Sequence, residues 1–178
     1  MKKVIVVTSS PRKGGNSEML ANKFAEGARS AGNQVVQIAV RDLGLQFCTG
    51  CMYCQSHDKC VLNDGMNALY SEFETADVLA FATPVYYYSV SGQLKTFLDR
   101  LNPLYVRKNK FKEVYMLATS ADDNEKAMDG CVSDLLGWIE CFDGVKLKDV
   151  LRGTGVSDKG DIEKTNFLQE AFETGKRV

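Results

Sequence analysis

The chain has 178 residues, a composition ordinary for a globular protein and a formal net charge of −1, so we expect one domain spanning residues 1–178. This charge argues against nucleic acid as a partner, and no apolar run approaches the ~20 residues that cross a membrane. The apolar run at the amino end is too short for a signal-peptide core and is expected to form the first strand, so we expect a cytoplasmic chain. In a cytoplasmic chain, six cysteines favour metal or redox use over structural disulfides.

The first functional pattern is an apolar run, Val4–Val7, which ends in a polar, glycine-rich turn before a helical pattern begins. Such a run predicts a strand buried on both faces, with the turn at the amino end of a helix. Free N–H groups and the helix dipole favour an anion there. The alternative is an ordinary turn in which Asn16 or Ser17 caps the helix. The residues predicted to bind phosphate are Ser9, Ser10, Pro11, Arg12, Gly14, Asn16 and Ser17.

The remaining apolar segments alternate between strand and helix patterns. This alternation predicts right-handed βαβ units in a three-layer α/β sandwich, with a five-stranded parallel sheet in the order 2-1-3-4-5. The further strands are expected at Val35–Val40, Val78–Thr83, Val114–Ala118 and Val145–Leu151. Helices are expected near Leu20–Ala28, from Asp64 as a cap through Phe73, at Leu94–Leu101, at Met128–Phe142 and at 161–174.

Ligands of such folds bind at the carboxyl ends of the strands. Three loops with unusual composition lie there: Ser9–Ser17, Pro84–Ser91 and Thr119–Asp123. In the second loop, tyrosines offer flat apolar walls for an aromatic ligand. In the third, Thr119 and Ser120 are predicted to contact the same ligand, although Asp122 or Asp123 as a plain helix cap is the alternative.

Two of these segments resemble a known family. TSSPRKGGNS resembles the FMN-phosphate loop of flavodoxin-like NAD(P)H-dependent FMN oxidoreductases, and ADVLAFATPVYYYSVSGQLKTFLDR is similar to their flavin-ring segment. A P-loop and a Cys-x5-Arg phosphatase loop are both absent. The resemblance implies that Pro84, Val85, Tyr86 and Tyr87 contact the flavin, with Thr119 and Ser120 beside it.

The same resemblance implies a ping-pong reaction in a flavodoxin-like fold. NAD(P)H would reduce FMN, and a small-molecule acceptor such as a quinone, a nitro or azo compound or free flavin would then be reduced. It also implies a homodimer or homotetramer. The run of three tyrosines predicts that Tyr87 or Tyr88 lies at or near the contact.

Four cysteines form the pattern C-x2-C-x2-C-x5-C: Cys48, Cys51, Cys54 and Cys60. This spacing suits a [4Fe–4S] cluster or a structural zinc, and it equally suits small thiols packed in a tight loop, with or without a disulfide. The segment resembles the compact motif of iron–sulfur flavoproteins. A [4Fe–4S] cluster on these cysteines would imply an electron-transfer protein with ferredoxin as a partner. A zinc ion would instead imply a flavodoxin-like binding module without catalytic turnover.

The remaining chemistry-bearing residues are interpreted as structural. Cys131 and Cys141 fall within a predicted helix and are expected in the core. Lys95, Asp99 and Arg100 are expected on an exposed, ion-paired helix face.

Overall fold

A computed structural model describes residues 1–57 and 59–178. The strands are β1 (Lys3–Thr8), β2 (Gln34–Ala39), β3 (Val78–Tyr86), β4 (Ser89–Val90), β5 (Glu113–Thr119) and β6 (Lys146–Gly153). The α-helices are α1 (Asn16–Ser30), α2 (Tyr70–Thr75), α3 (Gly92–Arg100), α4 (Asp129–Ile139) and α5 (Phe167–Lys176). Short 3-10 turns occupy Val40–Asp42, Tyr53–Gln55, Asn102–Val106, Glu125–Met128 and Asp161–Lys164. No helix among the described residues is both long enough and apolar enough to span a bilayer.

Five strands form a parallel sheet in the order β2-β1-β3-β5-β6. The two-residue strand β4 only folds back antiparallel onto the end of β3. When β4 is set aside, the order is the predicted 2-1-3-4-5, and the flavodoxin-like fold class is confirmed. All parallel strands therefore end at one edge, where the three predicted loops emerge.

Helices cover both faces of the sheet, which explains why the central strands are apolar at every position. On β1, Val4 and Val6 pack against α1 and α5, and Ile5 and Val7 pack on the opposite side with α3 and α4. Successive strand residues point to opposite faces, so a strand buried on both sides needs a continuous apolar run.

The predicted helix from Asp64 is wrong at its amino end. The helix α2 begins only at Tyr70, and Met66 and Leu69 precede it in a turn. Asp64 does accept a hydrogen bond from the Met66 N–H, at 3.1 Å, but its carboxylate is mainly bound to Arg100. A local side-chain bond of this kind favours a turn over a helical start.

Arg100 is also placed differently from the prediction. Its side chain is only 1% exposed and forms an ion pair with Asp64, whose side chain is 3% exposed. Lys95 and Asp99 do form the expected exposed pair, one turn apart on α3. Arg100 lies on the buried face of the same helix, so its guanidinium group forms a buried ion pair and not a surface one.

Two other helices are shorter than their apolar patterns. Residues 125–128 form a 3-10 turn, so α4 begins at Asp129 and ends at Ile139, before Phe142. The acidic cap proposed at Asp122 or Asp123 is wrong, because Asn124 caps that turn. The carboxyl-terminal segment is likewise split into a 3-10 turn and α5.

Candidate functional site

The turn between β1 and α1 presents an unsatisfied helix end. Gly15 occupies the cap position without a side-chain cap, so neither Asn16 nor Ser17 serves as the cap. The first N–H groups of any α-helix lack an intrahelical acceptor. Within the described residues, the hydroxyl of Ser17 is buried and has no hydrogen-bond partner. Buried polar groups are normally paired, so these donors indicate a ligand.

A cavity of about 250 Å³ opens at this helix end. It brings together residues from all three predicted loops and adds a fourth segment, residues 156–159, after β6. Because each loop follows a parallel strand, the cavity lies at the carboxyl edge of the sheet. Its lining residues are Ser10, Arg12, Gly15, Asn16, Ser17, Pro84, Val85, Tyr86, Thr119, Ala121, Val156, Ser157 and Lys159.

Some predicted ligands use their side chains within the protein. Ser9 does not line the cavity; its hydroxyl donates to Ala82 O at 3.0 Å and accepts from the Ser91 hydroxyl at 2.9 Å. Ser120 is likewise absent from the lining, and its hydroxyl accepts from the Asp122 N–H at 3.0 Å. Both residues fix the shape of the loops that form the cavity.

Pro11 and Gly14 also lie outside the lining. Pro11 is exposed, while Gly14 has a left-handed φ of 67° and donates its N–H to Glu18 at 2.6 Å. Burial would raise the pKa of Glu18, but hydrogen bonds from Arg41 and from Gly14 outweigh it and hold that pKa below its ordinary value. Glu18 thus stays ionised, with its charge compensated by Arg41.

The aromatic turn is a two-residue hairpin. Tyr86 pairs with Ser89 across it, and Tyr87 and Tyr88 both adopt left-handed φ angles, of 50° and 62°. This conformation normally requires Gly or Asn, so tyrosines there store strain that the surroundings must offset. Tyr86 lines the cavity, whereas Tyr87, predicted to bind the cofactor, is fully exposed at the tip.

Helix α4 holds this hairpin in place. The Ser89 hydroxyl donates to Asp134, and the Val90 N–H donates to the same carboxylate oxygen at 3.3 Å. Gly130 allows the close approach, because a Cβ there would lie 2.0 Å from the Tyr88 carbonyl oxygen. The strained turn is therefore supported by one side chain and by one position that must be glycine.

All four predicted metal ligands border a second cavity, of about 430 Å³. Cys48 and Cys51 are exposed, Cys60 is half-buried, and buried Cys54 accepts a hydrogen bond from Asn102 Nδ2 at 3.3 Å. Hydrogen bonds, chiefly from the Tyr53 N–H, lower the pKa of the Cys51 thiol. Residues 1–57 and 59–178 contain no three His, Cys, Asp or Glu side chains placed to hold a metal ion.

Of the two helical cysteines, Cys131 is buried in the core as predicted. The prediction for Cys141 is wrong: it follows the end of α4, is exposed, and lines the cysteine cavity with Trp138 and Phe142. The apolar period of the helix had suggested a core position, but α4 ends two residues earlier. The two cavities share no described lining residue.

One family model matches most of the chain. The model described as NADPH-dependent FMN reductase matches residues 2–153. The chain belongs to this family. Its match includes both segments of the predicted resemblance and all of the parallel strands.

Similar proteins carry two kinds of name. An iron-sulfur flavoprotein of Archaeoglobus fulgidus is 34% identical over 101 residues, which are 57% of this chain and 46% of that protein. One of Methanosarcina thermophila is 26% identical, across 99% and 93% of the two chains. Among solved structures, an NAD(P)H:quinone oxidoreductase from Methanothermobacter marburgensis has a TM-score of 0.77, at 18% identity and 99% and 95% coverage.

These comparisons define the family and the fold. The chain spans about half the length of the first curated relatives that it matches. The structural likeness, at 18% identity, shows the fold alone. The description of the family names FMN. The unpaired, buried hydroxyl of Ser17 in the cavity is a donor that fits the phosphate of that flavin.

Proposed function

We propose that this protein is an FMN-dependent oxidoreductase that takes reducing equivalents from NAD(P)H and passes them to a quinone, nitro, azo or flavin acceptor. The observation that carries the proposal is the unpaired, buried hydroxyl of Ser17, which lines a cavity where the family's phosphate and ring segments meet. FMN, when bound, supplies the hydride chemistry; the protein binds and orients it.

The residues that would hold FMN divide by position. Ser17, Arg12 and the free N–H groups at the start of α1 would bind the phosphate, because all can donate to its oxygens. Pro84, Val85 and Tyr86 would contact the flavin ring. Thr119, the last residue of β5, and Ala121 would form a further side of the cavity. The tyrosine ring and the valine side chain would exclude water from the bound flavin.

The proposed flavin cavity and the cysteine cavity are lined by different residues. Ser91, at the amino end of α3, contacts Ser9 of the phosphate loop, whereas Leu98 and Asp99, at its other end, border the cysteine cavity. The nine residues of α3 rise about 1.5 Å each, so its ends are about 12 Å apart. The cysteines are therefore not needed to shape the flavin cavity.

The first prediction follows from this separation. The double variant Cys51→Ser/Cys54→Ser is expected to retain bound FMN and to reduce a quinone with NAD(P)H at a rate within about two-fold of the parent. Serine is a poor ligand for iron, so a cluster on these cysteines would be lost. Steady-state assays without oxygen, with FMN content measured in parallel, provide the test. Loss of quinone reduction with FMN still bound would contradict the proposal.

A second candidate function is electron transfer between FMN and a [4Fe–4S] cluster, with a protein such as ferredoxin as partner. It is supported by the four cysteines around one cavity and by relatives named iron-sulfur flavoproteins. Two results together would favour electron transfer: iron and sulfide in anaerobically purified protein, and loss of quinone reduction in the double variant with FMN still bound. Bound zinc in a colourless protein would instead favour a structural site.

We also propose that the protein forms a homodimer or homotetramer in which Tyr87 and Tyr88 contribute to the contact. Both side chains are exposed on a turn whose strained backbone holds them outward, and exposed aromatic clusters are typical of interfaces. Sedimentation at micromolar concentration is expected to show a dimer or larger, and Tyr87→Ser to weaken it. A strictly monomeric parent would overturn this prediction.

A further inference from the structure

The segment Ser157–Gly160, which follows β6, forms a wall of the proposed FMN cavity. Ser157 and Lys159 line the cavity together with residues of the phosphate loop. Neither Arg12 nor Lys159 forms a salt bridge within residues 1–57 and 59–178. The cavity therefore carries two cationic side chains that no carboxylate of the described protein neutralises.

Asn16 fastens this segment to the first turn of α1. Its Nδ2 donates to Asp158 O at 2.9 Å, and its Oδ1 accepts from the N–H groups of Gly160, at 3.0 Å, and Ile162, at 3.4 Å. Both polar atoms of the amide are thus used inside the protein. The side chain of Asn16 holds the backbone on both sides of Lys159 instead of donating to a ligand.

The end of the Lys159 side chain lies against the phosphate loop. Its Cε and Nζ are each 3.2 Å from the point that a Cβ on Gly14 would occupy. Gly14 has a left-handed φ and no side chain, so it leaves room for the ammonium group. Arg12 also contacts this segment, because its Nη1 donates to Ser157 O at 3.4 Å.

We propose that Lys159 binds the terminal phosphate of FMN as a second cation beside Arg12, and that Asn16 positions it for this contact. The inference rests on the proposed function, because it assumes FMN in this cavity. A phosphate dianion gains from two nearby cations, whereas the neutral hydroxyl of riboflavin does not. Lys159 thus helps the protein to select FMN over riboflavin.

The test measures the affinity of the apo-protein for FMN and for riboflavin. The change in flavin fluorescence on binding is the readout. Lys159→Gln is expected to weaken FMN binding by about ten-fold at low ionic strength, as a charge-assisted contact at an exposed site implies. Riboflavin affinity should change by less than about two-fold. Lys159→Arg, which keeps the charge, should restore most of the FMN affinity.

Lys13→Gln is the matched control, because Lys13 is an exposed lysine of the phosphate loop that does not line the cavity. It should leave both affinities within about two-fold. Equal losses in the two lysine variants, or loss of riboflavin binding in Lys159→Gln, would refute the inference. A parent protein that binds FMN no more tightly than riboflavin would refute the proposed phosphate site itself, so the two failures are distinguishable.

Discussion

Replacing Arg100 with methionine is expected to lower the free energy of unfolding by about 3–5 kcal/mol, because the change leaves Asp64 buried without its partner. Arg100 Nη1 also donates to Gln46 O at 2.8 Å, and Asp64 accepts from the Gln46 N–H at 3.0 Å. The pair thus ties together the two ends of the segment that carries the four cysteines. Denaturant unfolding of the apo-protein measures the effect.

The matched control is Lys95→Met on the same helix. Lys95 and Asp99 form an ion pair whose side chains are 59% and 46% exposed, so its loss should change stability by less than about 0.5 kcal/mol. Adding Asp64→Leu to Arg100→Met should recover much of the loss, since the unpaired charge is then removed. An Arg100→Met variant as stable as the Lys95→Met variant would show that the buried pair does not stabilise the fold.

The same pair gives stability a pH dependence. Burial alone would raise the pKa of Asp64, but hydrogen bonds from Arg100 and two backbone N–H groups hold it below its ordinary value. Its stabilising contribution is therefore complete above the pKa of the unfolded carboxyl, near 4, and is lost as pH falls through the lower folded pKa. In Arg100→Met, burial without the arginine should raise the pKa of Asp64 above its ordinary value. The stability difference between parent and Arg100→Met should therefore begin to narrow above about pH 4 and continue to narrow through the lower folded pKa of the parent.

Gly27→Ala is expected to destabilise the protein by about 2–3 kcal/mol, at the upper end of ordinary overpacking costs. A Cβ at Gly27 of α1 would lie 2.0 Å from Phe172 O of α5, and one at Gly175 would lie 2.0 Å from Phe24 O. The two helix backbones touch at these reciprocal glycines. Neither helix can accept a methyl group without moving away from the other.

The substitution Gly137→Ala is expected to change stability in the opposite direction. Gly137 is exposed within α4, and nothing lies within 4 Å of the added Cβ. Alanine there should stabilise the protein by about 0.5–1 kcal/mol through helix propensity alone. Thermal or urea unfolding of both variants measures the contrast. Equal effects at the two positions would contradict the close packing of α1 against α5.

The sheet was predictable from the sequence because strands buried on both faces leave continuous apolar runs, as Val4–Val7 and Val78–Thr83 do. The helix beginnings were harder to predict. At Asp64, a cap-like residue proved to be half of a buried ion pair with Arg100. An arginine that follows an exposed Lys95–Asp99 pair gives no local sign that it faces the interior.

The parts of the candidate site that lie within a single loop segment were predictable from the sequence. Arg12 and Ser17 line the cavity, as do Pro84, Val85 and Tyr86. What the sequence did not reveal was contact between distant segments, such as Asn16 with Asp158 or Lys159 with Gly14. The signal that could have found Lys159 is topological: its loop also follows a parallel strand at the carboxyl edge.

The central claim is that the cavity at the start of α1 holds FMN. The most direct measurement is release of the cofactor by heat from purified protein, or from apo-protein reconstituted with a mixture of FMN, FAD and riboflavin, followed by chromatography. We expect FMN in stoichiometric amount, because the phosphate loop is suited to a terminal phosphate. Recovery of FAD alone, or of no flavin after reconstitution, would contradict it.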